Sequence, residues 1–207
     1  MMGWRRRETV PPEPDGTESK WPGATNGVDL FAQVIWAGVL TGLAGLPLVT
    51  LPAAIAAGTR HLQRHLRAER SSVRKYGADF MRALPGGLVV GVAAVLVAAL
   101  LGLNIFLALA QVLFAWPVIL AVGIAGLALT VLILLQAGYH WTPERGWKPA
   151  VGEGTRMLRS DPLGAVLILV VISVSGVATW LLPPLVLAGV GCTLFTVLTV
   201  NVRPRRT

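Results

Sequence analysis

The chain has 207 residues, 54% of them hydrophobic and 14% charged, with a formal net charge of +8. An ordinary soluble domain carries about 25% charged residues. No Asp, Glu, Lys or Arg lies between Asp29 and Arg60, between Arg82 and Glu144, or between Asp161 and Arg203; a soluble fold of this size could not hide three such stretches without large exposed apolar patches, which excludes a soluble enzyme or binding domain.

Residues 1–27 are rich in Pro, Gly and Glu and read as a disordered tail. Within them "WRRRE" (4–8) lacks the apolar core that a secretion signal needs, so the first long apolar stretch is read as a retained span. A crossing helix takes roughly 20 apolar residues. The three uncharged stretches therefore hold one, two and two crossings, expected at 29–49, 86–108, 113–139, 163–182 and 185–202. Stretches such as "LVVGVAAVLVAALLGL" (88–103) show no period-two alternation, which argues for helices rather than barrel strands. The expected fold is all-α: a polytopic membrane protein with a five-helix transmembrane bundle over residues 28–202, followed by a basic tail at 203–207. Pro85 stands before the second span, Asp161-Pro162 before the fourth, and Pro183-Pro184 between the last two.

Between the first two spans the chain changes solvent abruptly. Pro47 ends the first span, Thr50 stands where a helix N-cap belongs, and Pro52 falls in the first turn of a new helix. On that helix Ile55, Leu62 and Leu66 share one face while Arg60, Arg64 and Arg67 gather on another. The spacing predicts a basic amphipathic cytoplasmic helix that starts at membrane depth and emerges among the headgroups. Arg60, Arg64, Arg67, Arg74 and Lys75 would grip an anionic inner leaflet, each cation contributing about 1 kcal/mol, or dock an acidic partner. Nucleic acid is not expected, because the charges cluster beside the spans.

Orientation follows from the cations. The loop at 50–85 holds Arg60, Arg64, Arg67, Arg70, Arg74, Lys75 and Arg82; the loop at 140–162 holds Arg145, Lys148, Arg156 and Arg159; the tail holds Arg203, Arg205 and Arg206. Five crossings put all of these on one side. The N-terminal Arg5, Arg6, Arg7 and Lys20 are balanced by Glu8, Glu13, Asp15 and Glu18. The expected arrangement is an extracytoplasmic N-terminus and a cytoplasmic C-terminus.

"LPLVTLPAA" (46–54), the basic helix after it and "VRKYGADFMRAL" (73–84) resemble the YesL-like family of bacterial integral membrane proteins. In that family a Pro-x-x-Thr turn follows the first span and an aromatic segment leads into the second; Pro47, Thr50 and Phe80 are the matching positions. The resemblance extends over 28–202. It departs at "ALPGGL" (83–88), where members carry a basic approach containing Asn and Phe. It implies a bacterial cell-membrane protein accessory to carbohydrate ABC importers, with no established activity and no assigned site.

Chemistry-bearing patterns are sparse. The middle of each span holds no ionisable residue, and the polar residues there are Thr41, Thr130, Ser173, Ser175, Thr193 and Thr196, whose hydroxyls bond back to their own helix or across to a neighbour. His61 and His65 have helical i, i+4 spacing but no completing ligand in a cationic setting, so no metal and no cofactor is expected. Cys192, the single cysteine, reads as a small buried hydrophobe. Gly38/Gly42 and Gly87/Gly91 are Gly-x-x-x-Gly pairs that let helices approach closely, within one chain or in a homo-oligomer. The leading expectation is a non-enzymatic accessory subunit linked to carbohydrate uptake; the second is a small oligomeric transporter or channel for an uncharged solute.

Overall fold

The computed structural model describes residues 27–69, 72–111, 115–182 and 185–202. The expected N-terminal tail, Arg70, Pro183-Pro184 and the basic tail at 203–207 lie outside the described residues. Among those described, seven α-helices and one short 3-10 turn follow one another without a strand: α1 (Gly27–Ala44), the turn Leu48–Thr50, α2 (Leu51–Leu66), α3 (Val73–Leu109), α4 (Trp116–His140), α5 (Trp147–Ser160), α6 (Pro162–Leu181) and α7 (Leu185–Val202). Five of them, α1, α3, α4, α6 and α7, are long and apolar enough to cross a membrane. The chain is an all-α, multi-pass membrane protein.

The ends of the helices follow local chemistry. Asp161 caps α6, its Oδ1 accepting from the Gly164 amide at 2.8 Å, with Pro162 as the first residue of the helix. Thr50 occupies the N-cap position of α2, yet its hydroxyl does not cap that helix. It donates instead to the carbonyls of Ala44 (2.7 Å) and Pro47 (2.8 Å), tying the turn back onto the end of α1. Pro85 does not open a helix as expected. It lies inside α3, which begins at Val73 with Ser72 as its cap and runs for 37 residues, about 55 Å. Proline removes one helical donor and its ring crowds the carbonyl four residues earlier, that of Met81. Close by, the Ala83 carbonyl accepts a hydrogen bond from the Trp147 indole at 2.8 Å.

α2 runs antiparallel to α1 and α3, α3 to α4, and α7 to both α6 and α1, whereas α2 lies parallel to α4 and α7, with Ile55 against Gly138 and Gly58 against Leu194. Asp29, near the start of α1, lies 3.4 Å from His65, near the end of α2. Along α3, Asp79 meets Arg60 and Arg64, Gly87 meets Ala53, and Gly91 meets Val49, so α3 retraces α2 in reverse. Beyond Gly91 the rest of α3 pairs with α4, Leu101 against Gly126 and Ile105 against Gly123. Gly164 of α6 touches Val200, and Gly189 of α7 touches Ser175. Gly42 meets Leu187, Gly38 meets Leu187 and Gly191, and Gly191 meets Val34, which sets α7 antiparallel to α1. Five alternating crossings would leave those two helices parallel. The difference arises because α2 travels back along α1 instead of leaving the bundle at its end.

The helix expected to start at membrane depth and emerge among headgroups is largely enclosed by protein, with Arg67 exposed at its end. Residues 52–59 of α2 are all buried, enclosed by α1, α3, α4 and α7. α5 lies within the stretch 140–162 expected as a basic loop; it turns Trp147, Ala150, Gly154 and Met157 inward against α4 and α3 and leaves Lys148, Glu153, Arg156 and Arg159 exposed.

Candidate functional site: a buried aspartate between two arginines

Arg60 and Arg64 stand one turn apart on α2, and the antiparallel α3 brings Asp79 between them. The Asp79 carboxylate, 3% exposed, lies 3.4 Å from Arg60 Nε and 2.5 Å from Arg64 Nη2. The two guanidinium side chains keep 25% and 18% of their surface. Two cations on one anion leave a surplus of positive charge where α2 meets α3. The Arg60 guanidinium also sits 5.9 Å from the centre of the Trp141 ring, a distance at which the ring face attracts a cation.

Aromatic side chains wall the cluster. The Tyr76 hydroxyl, one turn before Asp79, donates to the Leu40 carbonyl of α1 at 3.1 Å. His61 meets the Tyr76 ring edge-on with centroids 6.2 Å apart, and Tyr76 stacks on Phe80 at 6.5 Å. Trp141 packs against Trp147 at 6.0 Å. In the exposed turn after α4, the Glu144 carboxyl is held below the usual carboxylate range by its own backbone amide and the Thr142 hydroxyl, with smaller pulls from Arg60 and Arg82. The arrangement can neutralise charge on an internal helix and fix its register, since each arginine offers several N–H donors to one acceptor.

The structure thus splits the five cations singled out from the sequence. Arg60 and Arg64 turn inward onto Asp79, while Arg67, Arg74 and Lys75 are exposed around the α2–α3 junction. His61 and His65 also part company: the first faces Tyr76 and the second faces Asp29. Among the described residues no group of three or more His, Cys, Asp or Glu could hold a metal ion. Pro47 precedes the 3-10 turn and Pro52 is buried in the first turn of α2. Gly38 and Gly42 lie against α7, Gly87 against Ala53 and Trp147, and Gly91 against the Val49 carbonyl, so all four serve contacts within this chain.

The sequence alone assigns no role to Asp79. The aspartate follows Arg60 and Arg64 by more than four helical turns, and no local periodicity links residues so far apart. The visible signal was a lone acid on an otherwise aromatic and basic segment. A second feature was equally hidden: a cavity of about 370 Å³ between α1, α2, α4, α6 and α7, walled by residues such as Leu51, Ile55, Leu135 and Val190 and edged by Thr41, Ser175, Thr179 and Thr193. Two of these hydroxyls bond back to their own helices, Thr179 to the Ser175 carbonyl at 2.7 Å and Thr193 to the Gly189 carbonyl at 2.9 Å. Thr130 and Thr196 do the same.

Comparison with known protein families, curated proteins and solved structures finds no match to this chain.

Proposed function

We propose that this chain is a non-enzymatic accessory subunit of a larger membrane assembly, held in the cell membrane and docking an acidic cytoplasmic partner through its basic end. One observation carries the reading. Exposed cations on the α2–α3 junction (Arg67, Arg74, Lys75), early α3 (Arg82) and α5 (Lys148, Arg156, Arg159) crowd around one end of the bundle. Such a field steers an acidic surface into place and is screened by salt. Arg60 and Arg64, engaged with Asp79, contribute to the field and hold α2 rather than reaching outward. The link to carbohydrate uptake rests on the resemblance at residues 46–54 and 73–84.

The test is replacement of Arg67, Arg74 and Arg82 by Glu, followed by chemical crosslinking to carbohydrate importer subunits in membranes. Loss of the crosslinked product with normal insertion is the expected result. Undiminished crosslinking removes the docking role.

The cavity favours a second reading, a small oligomeric transporter or channel for an uncharged solute, because its walls are apolar and its polar groups are hydroxyls. Solute entry into liposomes that contain only this protein would support it.

A further inference from the structure

All the sequence's Lys and Arg fall in four stretches: before Gly27, from Arg60 to Arg82, from Arg145 to Arg159, and after Val202. Packing brings the described boundaries of these stretches to one end of the bundle. Val34 of α1, Leu62 and Leu66 of α2 and Leu198 of α7 form one cluster, with Leu30 and Tyr139 against it. Asp29 near the start of α1 meets His65 near the end of α2. Asn201 near the end of α7 donates to Gln136 of α4 at 2.8 Å, and Gly154 of α5 lies against Gln136 and Ala137. The opposite ends of the helices are joined through residues 45–50, 110–115 and 182–184, in which no Asp, Glu, Lys or Arg occurs.

We infer that Gly27 and Val202 both face the cytoplasm, so that every Lys and Arg of the chain meets one anionic leaflet. α1 and α2 form an inserted hairpin whose two feet stand on the same side, whether its tip reaches the far surface or turns back within the bilayer. This replaces the expectation of an extracytoplasmic N-terminus, which counted the stretch from 50 to 85 as a surface loop. Moving the N-terminal tail to the inner side removes that model's one exception, since Arg5, Arg6, Arg7 and Lys20 then join the other cations. Short cytoplasmic segments carry the excess of Lys and Arg in membrane proteins generally. α2 tolerates Arg60 and Arg64 because they lie near its inner foot and meet Asp79. The inference does not depend on the docking reading: a chain oriented this way can lack any partner.

Trypsin, which cuts after Lys and Arg, gives a direct test on the unaltered protein. In sealed right-side-out vesicles, added trypsin is expected to leave the chain at full length. In inverted vesicles it removes the first 20 residues. Loss of those residues in right-side-out vesicles overturns the inference. A second measurement covers a tail that resists cleavage: Ser19→Cys and Thr207→Cys, each in a Cys192→Ser background, treated with a membrane-impermeant maleimide. Both should react only in inverted vesicles, whereas Gln111→Cys, at the α3–α4 turn, should react only in right-side-out ones. Reaction of Ser19→Cys from outside overturns the proposal.

Discussion

Residues 52–59 of α2 and residues 88–109 of α3 are both apolar, yet they live in different solvents. The first stretch, Pro-Ala-Ala-Ile-Ala-Ala-Gly-Thr, is buried at every position. The second leaves Leu88, Val89, Val92, Leu96, Val97, Leu100, Leu103, Phe106 and Leu109 exposed, with side chains between 37% and 71% accessible. Side-chain size, rather than hydropathy, separates them. Between helices in lipid there is no hydrophobic gain from leaving the hydrocarbon, so close contact must come from dispersion and short hydrogen bonds, which small residues permit. In α2 the alanines and the glycine at 53–58 let the neighbouring helices close in, whereas the large side chains along 88–109 of α3 stay exposed.

The strongest way to break that contrast is to disturb what lets the internal helix carry charge. Asp79→Ala leaves Arg60 and Arg64 without their acceptor. Removing one partner of a buried pair costs about 3–5 kcal/mol, and the residual exposure of both arginines lets them find water, which places the expected loss near the lower bound. Unfolding in mixed micelles should show it, and Arg60→Gln added to Asp79→Ala should recover part of it. An Asp79→Ala protein as stable as the parent would mean that the ion pairs do not hold α2.

Next in size is the contact between α1 and α7. A Cβ on Gly191 would collide with the Val34 carbonyl, a backbone atom that cannot move aside without parting the helices. Overpacking of this kind costs about 1–3 kcal/mol. Gly191→Ala should lose that much in the same titration. Gly102, on the lipid-facing part of α3, has open space where the Cβ would go. Gly102→Ala should hold or gain about 0.5–1 kcal/mol through helix propensity.

How far the sequence disclosed this architecture depends on the range of the interactions. Spans with local punctuation were legible: α7 spans the expected 185–202, and Asp161-Pro162 opens α6 within one residue of expectation. The start of α3 was not, because Pro85 reads as a helix opening, whereas the contacts that hold residues 73–85 as helix, Asp79 with Arg60 and Arg64 and the Ala83 carbonyl with Trp147 64 positions on, come from distant parts of the chain. The placement of α2 was illegible for a related reason. An apolar face opposite a basic one suits a membrane surface as well as a protein interior, and only Asp79, brought round by the antiparallel α3, distinguishes the two. The candidate cluster was half visible, its arginines by spacing and its aspartate not at all.

Trp147 offers a smaller perturbation that bears on the same point. Trp147→Phe keeps most of the buried ring and removes the indole N–H, leaving the Ala83 carbonyl without that donor. The Ala83 carbonyl lies inside α3, where the amide four residues on can still serve it, so the loss is that of one hydrogen bond, about 1 kcal/mol. Faster amide exchange in residues 83–88 should accompany it. Unchanged exchange there would mean that α3 tolerates its internal proline without help from α5.

The smallest effect should come from the lipid-facing helix. Leu100 is 65% exposed on α3. In the core of a water-soluble protein, Leu→Ala costs about 2–5 kcal/mol, because apolar surface returns to a poorer environment and a cavity remains. At position 100 neither term applies: the methyl groups already touch hydrocarbon, and a lipid chain flows into the space they vacate. Leu100→Ala should therefore stay within about 0.5 kcal/mol of the parent, the range of ordinary surface changes. A loss of 2 kcal/mol or more would show that Leu100 meets protein instead. Dilution into excess detergent would then identify the neighbour, since a contact with a second copy weakens as copies separate and a contact within the chain does not.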